Sequence, residues 1–232
     1  MSTKDKYLII AAGGCGSRMD NETPKQYLEI NGKPIIVWTL GIFKPFVETK
    51  NIVVVISKEH QAYWNEIIKY YPEFSHCKIV FGGSTRFHSI KAGLKFIPDN
   101  VLVAIHDAAR PMASSNTIKS CFATATRIES AIPLINLSES VREKTGVASK
   151  SINRKNLRLV QTPQVFNSEL IKEAYQQDYN ELFTDDASVA EKHGQIIGIT
   201  EGNIENIKIT NPNDLKLASI ILSSSSPSIG ME

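Results

Sequence analysis

The chain has 232 residues, 42% of them hydrophobic, and a formal charge of +2. It is long enough to bury a sizeable core in one α/β domain, and too nearly neutral for the broad basic face that nucleic acid or an anionic membrane surface would require. Cys15, Cys77 and Cys121 are widely spaced with no CxxC pair, which argues against a disulfide framework or a zinc cluster and suits free thiols in a reducing compartment. MSTKDK leads directly into an apolar strand and no apolar run is long enough to cross a bilayer. A cytoplasmic protein is expected, with no membrane and no nucleic acid among its partners.

Tyr7 to Ala12 is an apolar run that reads as a first strand. It passes into Gly13-Gly14-Cys15-Gly16-Ser17-Arg18 and then Pro24-Lys25-Gln26. Glycines let backbone N–H groups approach an anion, and Arg18 and Lys25 supply charge beside them, so the segment has the grammar of a phosphate-binding loop. Two better-known glycine motifs do not fit. Met19 stands where a dinucleotide fingerprint needs its third glycine, and the lysine arrives after a proline instead of in a Gly-Lys-Ser/Thr ending.

Pro34 opens a helix from Ile35 to Phe46, with Ile36, Leu40 and Phe43 at helical spacing. Asn51 to Ile56 is a β-branched run of the kind buried on both faces of a parallel sheet. A helix over 59–71, a strand from Lys78 to Phe81, a helix from Arg86 to Ile97, a strand from Val101 to His106 and a helix over 114–127 follow. Such alternation predicts a mostly parallel, doubly wound sheet with ligands at the carboxyl ends of its strands. Three motifs fall at that edge: the Gly13 loop, the Gly82 loop with Arg86 and Ser89, and Asp107 with Arg110. Singly each is an ordinary turn or a solvated ion pair; together they point to a site.

The alternation breaks after Pro133. From about 134 to 160 the chain is polar, with short alternating pieces and a turn near Gly146, and reads as an extended β-arm too poor in apolar residues to form a core. It must lie on the main domain or embrace a partner subunit. Helices are expected over 168–177 and from Thr184 through His193, strands over 196–200 and 206–210, and a last helix from Pro212 to Leu222. One domain over 1–222 results, with 223–232 as a disordered tail.

In this order, AGGCGSRM with PKQ, GGSTRFHS, HDAARP, QTPQVF, TDDAS and NIKIT closely resemble the 2-C-methyl-D-erythritol 4-phosphate cytidylyltransferases of non-mevalonate isoprenoid synthesis. The resemblance runs from about Tyr7 to Leu222. It implies a Rossmann-like α/β fold of nucleotidyltransferase type with an extended β-arm. It also implies transfer of a cytidylyl group from CTP to a sugar-alcohol phosphate, by in-line attack on the α-phosphorus with loss of pyrophosphate. Ribitol-5-phosphate cytidylyltransferases share much of the pattern, and a nucleotide-binding module that has lost its chemistry is a further alternative. By resemblance, Arg18, Lys25 and Lys208 are the catalytic residues, stabilising charge at the α-phosphate. Ala12, Gly13, Gly14, Gly16, Gly83, Ser89 and Asp107 bind the nucleotide. Arg110, Ser140, Arg154, Thr162, Thr184 and Asp185 surround the sugar phosphate. Magnesium or another divalent cation is the implied cofactor, held mainly by nucleotide phosphates with Asp107 as its weak or indirect protein ligand. The resemblance further implies a homodimer in which the arm of one subunit, with Arg154, reaches the site of the other. Leu137-Ser138-Glu139-Ser140 departs from the family's Asp-Thr pairing but retains a carboxylate and a hydroxyl. Ser84 stands where some relatives carry aspartate.

Overall fold

The computed structural model describes residues 4–14 and 23–224. In chain order these form β1 (Lys6–Ala12), β2 (Glu29–Ile30), β3 (Lys33–Pro34), α1 (Ile35–Phe43), β4 (Ile52–Ile56), α2 (Gln61–Tyr70), β5 (Lys78–Phe81), α3 (Arg86–Leu94) and β6 (Leu102–Asp107). Then come α4 (Ser115–Ile128), β7 (Ser130–Asn136), β8 (Val141–Thr145), β9 (Ala148–Ile152), β10 (Arg158–Val160), β11 (Gln164–Asn167), α5 (Ser168–Ala174), α6 (Asp186–Lys192), β12 (Ile199–Glu201) and α7 (Pro212–Ser224). No helix among the described residues is long and apolar enough to cross a membrane.

β5, β4, β1 and β6 run parallel, in that order across the sheet. The period-two geometry of a strand divides their residues between two cores. Leu8, Ile10, Ile52, Val54 and Ile56 meet α1, α2 and α4 on one face. Ile9, Val53 and Val55 meet α3, α5 and α6 on the other. That is the doubly wound arrangement the β-branched runs predict, and burial of both faces explains why those runs do not alternate with polar residues. Helix α3 comes so close that a Cβ on Gly93 would lie 2.9 Å from Val55 Cγ2.

Beyond β6 the sheet turns mixed. β11 is antiparallel to both β6 and β7, and β12 runs parallel to β7. β7 and β11, which the sequence reading did not separate from the connecting chain, carry the sheet past the parallel core. The arm is shorter than the expected 134–160. Leu134 to Asn136 and Arg158 to Val160 pair with each other inside the main sheet, and only the hairpin of β8 and β9 projects, each strand pairing with the other alone among the described residues.

Three further expectations change. Residues 206–210 are not a strand: their backbone is bonded to loops, with the Ile209 N–H donating to Ala109 O at 2.9 Å. Helix α6 does not begin at Thr184: it opens at Asp186, with Asp185 as its N-cap accepting from Ser188 N. Ser223 and Ser224, assigned to the tail, continue α7, where Ser223 Oγ accepts from Asn31 at 3.0 Å. The rest of the tail, 225–232, lies outside the described residues. Cys77 and Cys121 are buried free thiols.

Candidate active site

The carboxyl end of β6 is the centre of the site. Asp107 ends that strand with its side chain 10% exposed, and three cations converge on it: Lys208 Nζ at 3.0 Å, Arg110 Nε at 3.2 Å and Arg86 Nε at 3.7 Å. Burial works to raise the Asp107 pKa; Lys208, Arg86 and Arg110 together outweigh it and hold the carboxyl far below the usual carboxylate range. Asp107 is therefore a fixed negative charge, unsuited to passing a proton at neutral pH.

Two cavities share this centre. One, of about 300 Å³, is lined by Ala12, Gly13, Gly14, Lys25, Gly83 and Ser89, and the other, of about 220 Å³, by Arg110, Thr162, Thr184 and Asp185. Arg86, Asp107 and Lys208 belong to both walls. The described residues thus bring together every nucleotide-side and catalytic residue that the sequence reading named except Gly16 and Arg18, which lie outside the described residues.

Each wall has a local cause. A Cβ on Gly82 would lie 2.5 Å from Ser89 Oγ, so a glycine there lets the turn fold against the first turn of α3. Ser89 Oγ accepts from Gly83 N at 3.2 Å and donates to Thr85 O at 2.9 Å. Gln26, buried in the short turn of Lys25–Tyr27, donates to Ala12 O at 2.7 Å and Gly14 O at 3.2 Å. It fastens the Lys25 turn to the end of β1.

On the second side a buried relay orders the backbone. The Asp107 N–H donates to Thr162 Oγ1 at 3.1 Å, and the Thr162 hydroxyl lies 3.0 Å from His106 Nδ1. His106 Nε2 lies 2.9 Å from Arg110 O, which can only accept. This assigns the proton to Nε2 and leaves Nδ1 to accept from Thr162. Burial pushes the His106 pKa down to about 4, so the ring stays neutral. Asp185 accepts from Ser188 N and from Gln164 Nε2 at 2.8 Å.

Lys208 reaches Asp107 because its segment is tied down on both sides. Arg110 Nη1 donates to Asn206 O at 2.8 Å, and buried Asn206 donates to Thr162 O at 2.8 Å. The sequence reading did not assign roles to His106, Gln26, Asn206 or Asp186. His106, Gln26 and Asp186 sit inside HDAARP, PKQ and TDDAS, and their position in those strings was the available signal. Ser140 and Arg154 do not join the site within one chain: neither lines the two cavities, and Arg154 donates to Ser138 O beside the arm.

The family model of 2-C-methyl-D-erythritol 4-phosphate cytidylyltransferase matches residues 7–224. This chain belongs to that family. A 2-C-methyl-D-erythritol 4-phosphate cytidylyltransferase of Phocaeicola vulgatus is 42% identical over 94% of this chain and 100% of its own length. One from Bacteroides fragilis is 45% identical over 92% and 98%. The crystal structure of the Francisella tularensis cytidylyltransferase superposes with a TM-score of 0.76 at 32% identity, covering 93% of this chain and 99% of that one. The 4-diphosphocytidyl-2C-methyl-D-erythritol synthase of Anaerococcus prevotii gives 0.80 at 26%, covering 95% and 96%. The family is enzymatic, and the mixed sheet with helices on both faces is its nucleotidyltransferase fold.

Proposed function

We propose that this site joins CTP to 2-C-methyl-D-erythritol 4-phosphate, giving 4-diphosphocytidyl-2-C-methyl-D-erythritol and pyrophosphate in non-mevalonate isoprenoid synthesis, in the cytoplasm. The observation that carries the reading is the shared wall: a glycine-lined cleft and a second polar cavity meet at Asp107, Arg86 and Lys208. CTP occupies the first, its base and ribose against Gly13, Gly14, Gly83 and Ser89 and its phosphates toward Lys25 and Lys208. The sugar-alcohol phosphate occupies the second, its hydroxyls toward Thr184 and Asp185 and its phosphate toward Arg110.

An oxygen of the acceptor phosphate attacks the α-phosphorus of CTP. A phosphorus–oxygen bond forms as the one to the leaving pyrophosphate breaks. The attacking oxygen is already anionic, so no general base is needed, and Asp107, locked among cations, does not provide one. Catalysis lies in alignment and charge neutralisation. Lys25, Lys208 and, by motif, Arg18 offset the charge that builds at the α-phosphate. Asp107 serves in turn to hold Lys208, Arg110 and Arg86 at one point.

The same geometry bears on the divalent ion. Among the described residues Asp107 is the one carboxylate lining the nucleotide cleft, and they contain no cluster of three metal-ligating side chains. That donor set suits a hydrated ion carried mainly by the triphosphate, which Asp107 would hold weakly or through water. When bound, the ion neutralises phosphate charge.

The hairpin of β8 and β9 supports a dimer. Nearly all its residues are exposed and it pairs with no other strand among the described residues. An isolated two-stranded ribbon is marginal in water, and a second subunit would supply the missing cover while receiving Ser140 and Arg154 at its acceptor cavity. The deciding experiment is pyrophosphate release by the purified protein with CTP and magnesium, comparing methylerythritol 4-phosphate with ribitol 5-phosphate. Release with the first is expected. Release with ribitol phosphate alone would transfer the chain to that substrate, and CTP binding without release from either would leave a non-catalytic module.

A further inference from the structure

Arg86 stands between the two cavities and is gripped from behind. It opens α3, and its guanidinium makes a paired contact with Asp186: Nη1 to Oδ1 at 2.9 Å and Nη2 to Oδ2 at 2.6 Å. With that edge engaged, Nε is the group left facing Asp107, 3.7 Å away. Asp186 is fully buried, and its Oδ1 accepts a third bond, from the Tyr175 hydroxyl at 2.6 Å. Tyr175 is 1% exposed, and its ring stacks on Phe87, the residue after Arg86, at 4.8 Å between centroids. Burial first, and then the Asp186 charge, push the Tyr175 hydroxyl well above its ordinary value, so it remains a donor.

A buried carboxylate with this many partners is a poor device for stability alone, because desolvating the pair consumes most of what the attraction returns. It is a good device for direction. A bidentate fork fixes the plane of a guanidinium in a way a single bond cannot. Asp186 is also the first residue of α6, directly after Thr184 and Asp185 in the acceptor wall, while Arg86 follows directly on Gly83 to Thr85 in the nucleotide wall.

We propose that Asp186 and Tyr175 are positioning residues for the acceptor, acting through Arg86 to set the 184–186 turn against the nucleotide loop. Neither residue lines a cavity, so their effect on the reaction passes through the guanidinium. The proposal rests on the second cavity being the acceptor side. It predicts an asymmetric defect. The nucleotide loop keeps its own bonds through Ser89 and the Thr85 cap on His88 N, whereas the acceptor turn loses the tie that spans the two walls.

The test uses Asp186→Asn, which keeps shape and removes charge, and Tyr175→Phe, which removes one hydroxyl and keeps the stacked ring. KM for methylerythritol phosphate, kcat, and CTP affinity by calorimetry are measured for both and for the parent chain. For Asp186→Asn the acceptor KM should rise about tenfold or more, and for Tyr175→Phe about threefold, with CTP affinity within about threefold of the parent in each. Losses of CTP affinity equal to the rise in acceptor KM would overturn the proposal. So would a Tyr175→Phe protein of lower melting temperature with unchanged acceptor KM, which would mark a purely structural bond. A parent chain that binds CTP and turns over no acceptor would instead strike the proposed function.

Discussion

Lys25 and Lys208 reach the nucleotide cleft from opposite ends of the chain, one on a short turn fastened to β1 and the other on a loop fastened to β6. If both supply charge where it develops, as proposed, Lys25→Ala should lower kcat about 100-fold or more with an unchanged circular dichroism spectrum; undiminished pyrophosphate release would remove Lys25 from the reaction. Thr162 works differently. Its hydroxyl accepts from Asp107 and donates to His106, so Thr162→Val strands two buried polar groups and should cost about 1–3 kcal/mol in urea unfolding. His106 gives the pH dependence. Its pKa is near 6.5 in the unfolded chain and about 4 in the folded one. Between those values the unfolded chain binds the proton and the folded chain does not. Stability is therefore fully present above about pH 6.5 and lost as pH falls toward 4, on the order of 3 kcal/mol in total. His60, lowered chiefly by burial, adds with the same sign. Unfolding curves that superimpose from pH 7 to pH 4.5 would contradict this. The charged residues of the site were legible because their motifs fall together at the carboxyl ends of the parallel strands and because the strings that hold them resemble those of one family; singly each had a bland reading. The neutral framework of Gln26, His106 and Asn206 was not, since its hydrogen bonds join residues far apart in sequence and leave no periodic mark.

The parallel core was readable at the level of elements because β1 and β4 bury both faces and so give unbroken apolar runs. The same logic failed for 206–210. Ile207, Lys208 and Ile209 alternate as a strand would, but Ile209 is buried against Ala109, Met112 and α7 and the backbone bonds go to a loop. Alternation reports which side chains are buried; it does not report what the backbone pairs with. β7 was obscured for the opposite reason, because Pro133 sits within it as a residue expected to end a strand. It is accommodated because the bond made there uses its carbonyl, which accepts from Gln161 N at 2.9 Å. Since Asn206 anchors the Lys208 segment to Thr162, Asn206→Ala should lower kcat about tenfold or more while the parallel core stays folded. Hydrogen exchange should then show faster opening of 206–210 alone. Equal loss of protection in β1 and β4 would mean that the segment supports the core and not the lysine.

For the whole molecule, an arm that pairs with no other strand among the described residues and two cavities that Arg154 does not line in its own chain are complementary facts. If Arg154 serves the partner's cavity, Arg154→Ala and Lys25→Ala subunits, each inactive alone, should recover about a quarter of parental activity when co-refolded in equal amounts, since half the dimers are mixed and each holds one intact site. No recovery, with mixed dimers demonstrated, would place Arg154 in the cavity of its own chain. One feature of the fold also bears on how the enzyme comes into being. The sheet centre is assembled from β1, β4 and β6, and all the described lining of the nucleotide cleft but Lys208 from segments at the ends of β1, β5 and β6 and the Lys25 turn, all in the first half of the chain, whereas Lys208, its Asn206 anchor and the α7 helix behind Ile209 come from the last part described. A nascent chain can therefore gather its hydrophobic centre on the ribosome, domain core first, while the lysine opposite Asp107 is still to be translated. Until those residues emerge, Asp107 lacks the nearest of its three counter-charges, so the site is completed after the core that carries it.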